Sequence, residues 1–291
     1  MYNINSIHHG SLHLGESPIW DDRLGQLFYV DILGKALYSW EYDNGNIKSF
    51  HFPEYISCIA LTHDKDILWI ALESGIYAFH LDTQEKTFIC QPETKSDYRY
   101  NDGAVDGNGR WLIGSMNNIN NGPKATHLPD ASLYQITGAN SRTLLEGVTV
   151  SNGIAFQAPY LYYIDSKCNN VRKFLYENNT LQFVEEVFSI SDGTTLDGMT
   201  ISKSNKLYIA NWGGQQILIF DLSSGKITGA ISVPAVNPTS CTFGGPLLNE
   251  LFITTSRISD DNNSLSGVYV VPLEDEGYIE NKILNKTTTA T

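Results

Sequence analysis

Glu16, Asn101, Asn152 and Asp197 are each followed, four residues later, by an apolar side chain: Trp20, Val105, Phe156 and Ile201. Two carboxylates and two carboxamides at one repeated position make an oxygen-only donor set. If they meet in space, the carboxylates repel one another unless a proton or a cation lies between them. All-oxygen ligation is the chemistry of a hard divalent ion such as Ca²⁺, Mg²⁺ or Mn²⁺. The same groups could instead hydrogen-bond backbone and ordered water, and repeat position alone does not separate the two readings.

The elements that must position these residues are legible as a repeat. Leu27-Phe28-Tyr29-Val30-Asp31 is echoed by Leu68–Leu72, Trp111–Ser115, Leu161–Asp165, Leu207–Asn211 and Leu251–Thr255. The copies recur at roughly 40–50 residues, the size of one four-stranded propeller blade. A further strand follows most copies, as at Ala36–Trp40 and Gln216–Phe220, and turns such as Asp43-Asn44-Gly45 suit hairpins. Ahead of each burst lies another short strand, and there Ser57 leads to Leu61 and Thr239 to Phe243 as Glu16 leads to Trp20. Long stretches of helical periodicity are absent. A sandwich of about seven strands would leave most of these segments unused. The expected fold is therefore all-β: a six-bladed β-propeller formed by residues 1–291 as a single domain. The first strand of a propeller blade lines the central channel, so the four oxygen-bearing residues should converge on an axial site. Ring closure pairs strands from both termini, which places residues 1–12 beside Val268–Pro272.

Composition narrows the function. With 42% hydrophobic residues and a length of 291, the chain can bury a sizeable core. A net charge of −13 opposes binding to nucleic acid or to anionic membrane surfaces. No apolar run approaches the ~18 residues of a membrane helix, and Met1–Gly10 lacks the pattern of a signal peptide. Cys58, Cys90, Cys168 and Cys241 form no CxxC pair, which suits reduced thiols and a cytoplasmic location. No Gly-x-Ser-x-Gly, His-Glu-x-x-His or phosphate-loop motif occurs. His8, His9 and His13 suit an edge strand better than a zinc site, which needs further well-placed ligands.

At the oxygen-bearing positions the chain resembles the SMP-30/gluconolactonase/luciferin-regenerating-enzyme family, the regucalcin-like lactonases. The resemblance rests on Gly15-Glu16-Ser17-Pro18-Ile19-Trp20, Arg99-Tyr100-Asn101-Asp102-Gly103, Ser151-Asn152-Gly153, Leu196-Asp197-Gly198-Met199 and Thr239–Gly245, in family order over nearly the whole chain. It implies one divalent ion (Ca²⁺, Mg²⁺, Mn²⁺ or Zn²⁺) held by Glu16, Asn152 and Asp197. Asn101 would stand beside it, and Arg99 would bind substrate oxygens. The chain departs from the family in having Leu196 where proline is frequent and Ser202 where aspartate is common. The segment Asn117–Asp130, where the family places a lid, carries no acidic residue before Asp130.

The implied activity is metal-dependent hydrolysis of a sugar-acid lactone, a small-molecule substrate, by a monomer or weak homo-oligomer. The ion would polarise the carbonyl and activate water. Asp197 would act as general base, or else serve as a ligand while solvent takes the proton. Two alternatives come from other classes: a calcium-binding propeller that only presents a surface to partners, and a metal-dependent phosphotriesterase-like hydrolase.

Overall fold

The apolar bursts are near-continuous because each is buried on both faces. Leu27, Phe28, Tyr29 and Val30 have no exposed surface. Successive strand residues point to opposite faces, so Leu27 and Tyr29 join Trp40, Phe252 and Val268 on one side. Phe28 and Val30 join Ile59, Leu68 and Ile70 on the other. Among the described residues six such clusters occur, one between each neighbouring pair of blades. Each fully buried large apolar side chain contributes about 1.5–3 kcal/mol, so the ring is held blade to blade.

The computed structural model describes residues 2–9, 12–118, 128–257 and 265–284, and among them there is no helix. The chain is an all-β, six-bladed propeller of four-stranded antiparallel sheets. Blade 1 comprises Gly15–Asp21, Gln26–Asp31, Ala36–Glu41 and Ile47–His51. The inner strands of the next five blades are Ile56–Leu61, Tyr98–Val105, Ser151–Gln157, Thr195–Ile201 and Asn237–Gly244. Blade 6 is completed by Asn5–His9 from the N-terminus, with Asn5 opposite Val270 and His9 opposite Gly267, as ring closure requires. Cys58, Cys90 and Cys241 are buried free thiols.

The register confirms the repeat. Trp20, Leu61, Val105, Phe156, Ile201 and Phe243 lie opposite Leu27, Leu68, Trp111, Leu161, Leu207 and Leu251, the first residue of each burst. At the other end of the inner strands, Gly15, Tyr100, Ser151 and Leu196 lie opposite Asp31, Ser115, Asp165 and Asn211. Glu16, Asn101, Asn152 and Asp197 are the next residues along. Every inner strand is irregular just there. In blades 3, 4 and 5 the pairs Asn101-Asp102, Asn152-Gly153 and Asp197-Gly198 oppose a single partner residue. In blade 1 the bulge falls one residue later, at Ser17-Pro18, with Ser17 at φ 48°. Such bulges re-aim side chains and are common beside functional sites.

The opposite end of the channel is crossed by the chain after the last strand. Gly277 bridges to Ser202 of blade 5, and Ile283, almost fully buried, bridges to Thr62 of blade 2. Above this strap lies a cavity of about 820 Å³ lined by Ile19, Val105, Phe156, Ile201, Phe243 and Glu280, among others. None of Glu16, Asn152 and Asp197 lines it, but their neighbours Ser17 and Asp102 do, so the cavity extends from the strap toward the oxygen cluster.

Candidate functional site

Glycine follows two of the oxygen-bearing residues because the inner strands nearly touch there. A Cβ at Gly153 would lie 2.9 Å from the Asp197 carbonyl oxygen, and one at Gly198 would overlap the Ser240 side chain. The Asn-Gly and Asp-Gly pairs thus let neighbouring strands converge while one side chain of each pair carries the chemistry.

Glu16, Asn152 and Asp197 are each at most 6% exposed. The Asn152 amide group donates to Ser166 Oγ at 2.9 Å, and Ser166 Oγ donates to the Leu196 carbonyl at 2.8 Å. That relay ties Asn152 to the residue before Asp197 and leaves Asn152 Oδ1 buried with no hydrogen-bond partner. Asp197 Oδ1 is buried and unpartnered as well. Burial pushes the Glu16 carboxyl well above its ordinary range, helped by the charges of Asp197 and Asp102. Burial also pushes Asp197 up, with Asp102 adding to it and Arg99 opposing. Two buried carboxylates, one with an orphaned oxygen, beside the orphaned carboxamide oxygen of Asn152, form a donor set suited to a cation.

The cation that is present is Arg99, 4% exposed. Burial lowers its pKa to about 10 against the pull of Glu16, Glu73, Tyr55 and Asp197. One Arg99 nitrogen donates to the Tyr100 carbonyl at 2.9 Å and to Asn101 Oδ1 at 2.5 Å. Asn101 in turn donates to the Ser151 carbonyl at 2.7 Å. Asn101 therefore braces Arg99 against the strand that bears Asn152, with both ends of its carboxamide engaged.

These contacts bring all five sequence-identified residues to one end of the channel. Among the described residues, no group of three or more His, Cys, Asp or Glu is arranged to hold a metal. The available set is the carboxylates of Glu16 and Asp197 with the carboxamide oxygen of Asn152 instead. The lid expected over Asn117–Asp130 lies, at residues 119–127, outside the described residues.

Sequence reasoning missed Asp102, which lines the cavity in the channel and whose carboxyl is pushed up by burial to about 6. It also missed the residues that fix the approach to the inner strands. Asp31 accepts from the backbone N–H groups of His13 and Leu14, both at 2.9 Å, just before Glu16. Asp165 does the same for Thr149 and Val150, at 2.8 and 3.0 Å, just before Asn152. The signal was the polar residue ending these bursts. Asp165→Ala leaves two buried N–H donors without acceptors, at about 1–3 kcal/mol each. Urea denaturation should show a loss of about 2–6 kcal/mol, and an unchanged midpoint would contradict this role.

Residues 14–257 match the family model described as the SMP-30/gluconolactonase/LRE-like region. YvrE of Bacillus subtilis, provisionally named a sugar lactone lactonase, is 30% identical over 279 residues, covering 91% of this chain and 93% of that protein. A luciferin-regenerating enzyme superposes with a TM-score of 0.90 at 23% identity, over 97% of this chain and 99% of that one. Regucalcin of Agrobacterium tumefaciens, described as a calcium-binding protein, superposes with a TM-score of 0.87 at 21% identity, over 97% and 98%. At these identities the two structures speak for the fold alone.

Proposed function

The chain belongs to the SMP-30/gluconolactonase/LRE-like family, and on that premise we propose that it is a metal-dependent hydrolase of sugar-acid lactones. The observation that carries the reading is the pair of buried, unpartnered oxygens, Asn152 Oδ1 and Asp197 Oδ1, beside the under-compensated carboxylate of Glu16. In this reading Glu16, Asn152 and Asp197 hold one divalent ion. Their all-oxygen chemistry suits a hard cation such as Ca²⁺, Mg²⁺ or Mn²⁺. When bound, such an ion supplies Lewis-acid polarisation of the lactone carbonyl and lowers the pKa of the attacking water.

The residues of the chain supply the rest. Arg99 directs its remaining N–H groups at substrate oxygens, and Asn101 keeps the guanidinium in that orientation. The water oxygen bonds to the acyl carbon while the Asp197 carboxylate accepts the proton. The ring C–O bond then breaks, and that proton passes to the departing ring oxygen, giving the hydroxy acid.

The test is turnover of five- and six-membered aldonolactones by metal-loaded protein, with spontaneous hydrolysis subtracted. We expect a rate above background that a chelator abolishes, and slower turnover of phosphotriesters. No rate above background on any lactone would leave a propeller that acts as a binding module.

A further inference from the structure

We propose that Glu73 selects hydroxylated lactones, its carboxylate forming with the Asn118 carboxamide and the Arg99 guanidinium a subsite for a ring hydroxyl. This rests on the lactonase reading and adds the feature of the substrate that the site recognises.

Glu73 follows the strand Ile67–Leu72 of blade 2. Leu72 lies opposite Ile56, which corresponds in blade 2 to Gly15 in blade 1, so Glu73 stands at the end of the channel that bears Glu16. Its carboxylate bridges two blades. Glu73 Oε2 accepts from the Tyr55 backbone N–H at 3.1 Å, and Oε1 accepts from the Asn118 amide at 3.2 Å. Asn118 directly follows the strand Trp111–Asn117 of blade 3. The Asn118 N–H donates to the Asp97 carbonyl at 2.7 Å, and Arg99, two residues on from Asp97, lies opposite Met116. Asn118 and Arg99 therefore share one face at the end of blade 3, and the Glu73 charge favours the protonated guanidinium there.

Hydrogen-bonding capacity around Glu73 is unspent. Arg99 Nε is a buried donor with no acceptor, and Asn118 Oδ1 is a buried acceptor with no donor. A carboxylate offers about four lone-pair sites, and these two contacts use two. Leaving buried polar atoms unpaired is costly. A hydroxyl both donates and accepts, so it complements an orphaned N–H together with an orphaned oxygen, whereas the methylene of an alkyl lactone satisfies neither. Sites built to bond a substrate hydroxyl discriminate strongly against analogues that lack it. A purely structural Glu73, stapling Tyr55 to Asn118, would affect all lactones alike.

The experiment compares metal-loaded wild type with Glu73→Gln, which keeps an acceptor for the Tyr55 N–H. The readout is the ratio of kcat/KM for glucono-δ-lactone to that for δ-valerolactone, the same ring without hydroxyls. We expect Glu73→Gln to lower that ratio by about 10–100-fold, the scale of one hydrogen bond to a charged group, mainly through the KM of gluconolactone. An unchanged ratio overturns the proposal, including the case where both lactones slow equally. If wild type hydrolyses neither lactone, the lactonase reading fails by itself. The subsite is then read by calorimetric titration with 1,5-anhydroglucitol, the uncharged hydroxylated ring without the carbonyl. Binding weakened tenfold or more in Glu73→Gln sustains the subsite, and equal binding, or none by wild type, overturns it.

Discussion

Asp197→Asn should lower kcat/KM on an aldonolactone by about 10²–10⁴-fold, the range for loss of general-base catalysis. Asp197 has the attributes of both a ligand and a base. It is 6% exposed and one oxygen is unpartnered, and a carboxylate beside an activated water can accept its proton. The amide retains one oxygen that can face a cation but cannot take a proton at neutral pH. Raising the metal concentration should therefore restore occupancy in Asp197→Asn without restoring rate. The wild-type kcat profile should fall on an acidic limb that the variant lacks. Full recovery of rate at saturating metal would reduce Asp197 to a ligand and leave the proton to solvent.

The second large effect concerns protein stripped of metal, which should become less stable as pH rises above the ordinary carboxylate range. Glu16 is raised by burial, then by the charges of Asp197 and Asp102; Asp197 is raised by burial, then by Asp102. The folded state thus keeps protons that the unfolded chain gives up near pH ~4. Where the native state binds more protons than the unfolded state, stability falls with pH. The penalty is absent below the unfolded pKa, grows through the window up to the raised native pKa, and is complete above it. A divalent ion favours the ionised carboxylates and competes with those protons, so it removes the penalty. Calorimetry with and without chelator between pH 5 and 8.5 should show a Tm gap that widens with pH. At pH 8, metal-free Asp197→Asn should melt above metal-free wild type. A gap independent of pH would mean that these carboxylates do not carry the ion.

The ring of blades was legible in the sequence because its cause is periodic. Leu27-Phe28-Tyr29-Val30 must be apolar throughout when both faces of a blade are covered, and the same demand recurs in every blade. Glu16, Asn101, Asn152 and Asp197 were legible for the same reason, since equivalent repeat positions share one place in a ring. What carries no period was not legible. The strap bearing Gly277 and Ile283 follows the last strand without a repeat partner. The displaced bulge at Ser17-Pro18 changes backbone pairing without changing the residue spacing. Glu73 and Asn118 lie in connections whose path follows from packing between blades, so no spacing rule links them to Arg99. Asp31 and Asp165 were visible as burst-ending residues, but their bonds to the preceding connections emerge only in three dimensions.

If Glu16, Asn152 and Asp197 hold one divalent ion that drives lactone hydrolysis, occupancy and rate must rise together. Mn²⁺ or Ca²⁺ is titrated into chelator-treated protein while bound metal and gluconolactone hydrolysis are followed together. Rate should rise in proportion to bound ion and saturate at one ion per chain, with no tight uptake by Asp197→Ala. Full turnover by the metal-free protein, or equal tight uptake by Asp197→Ala, would contradict it.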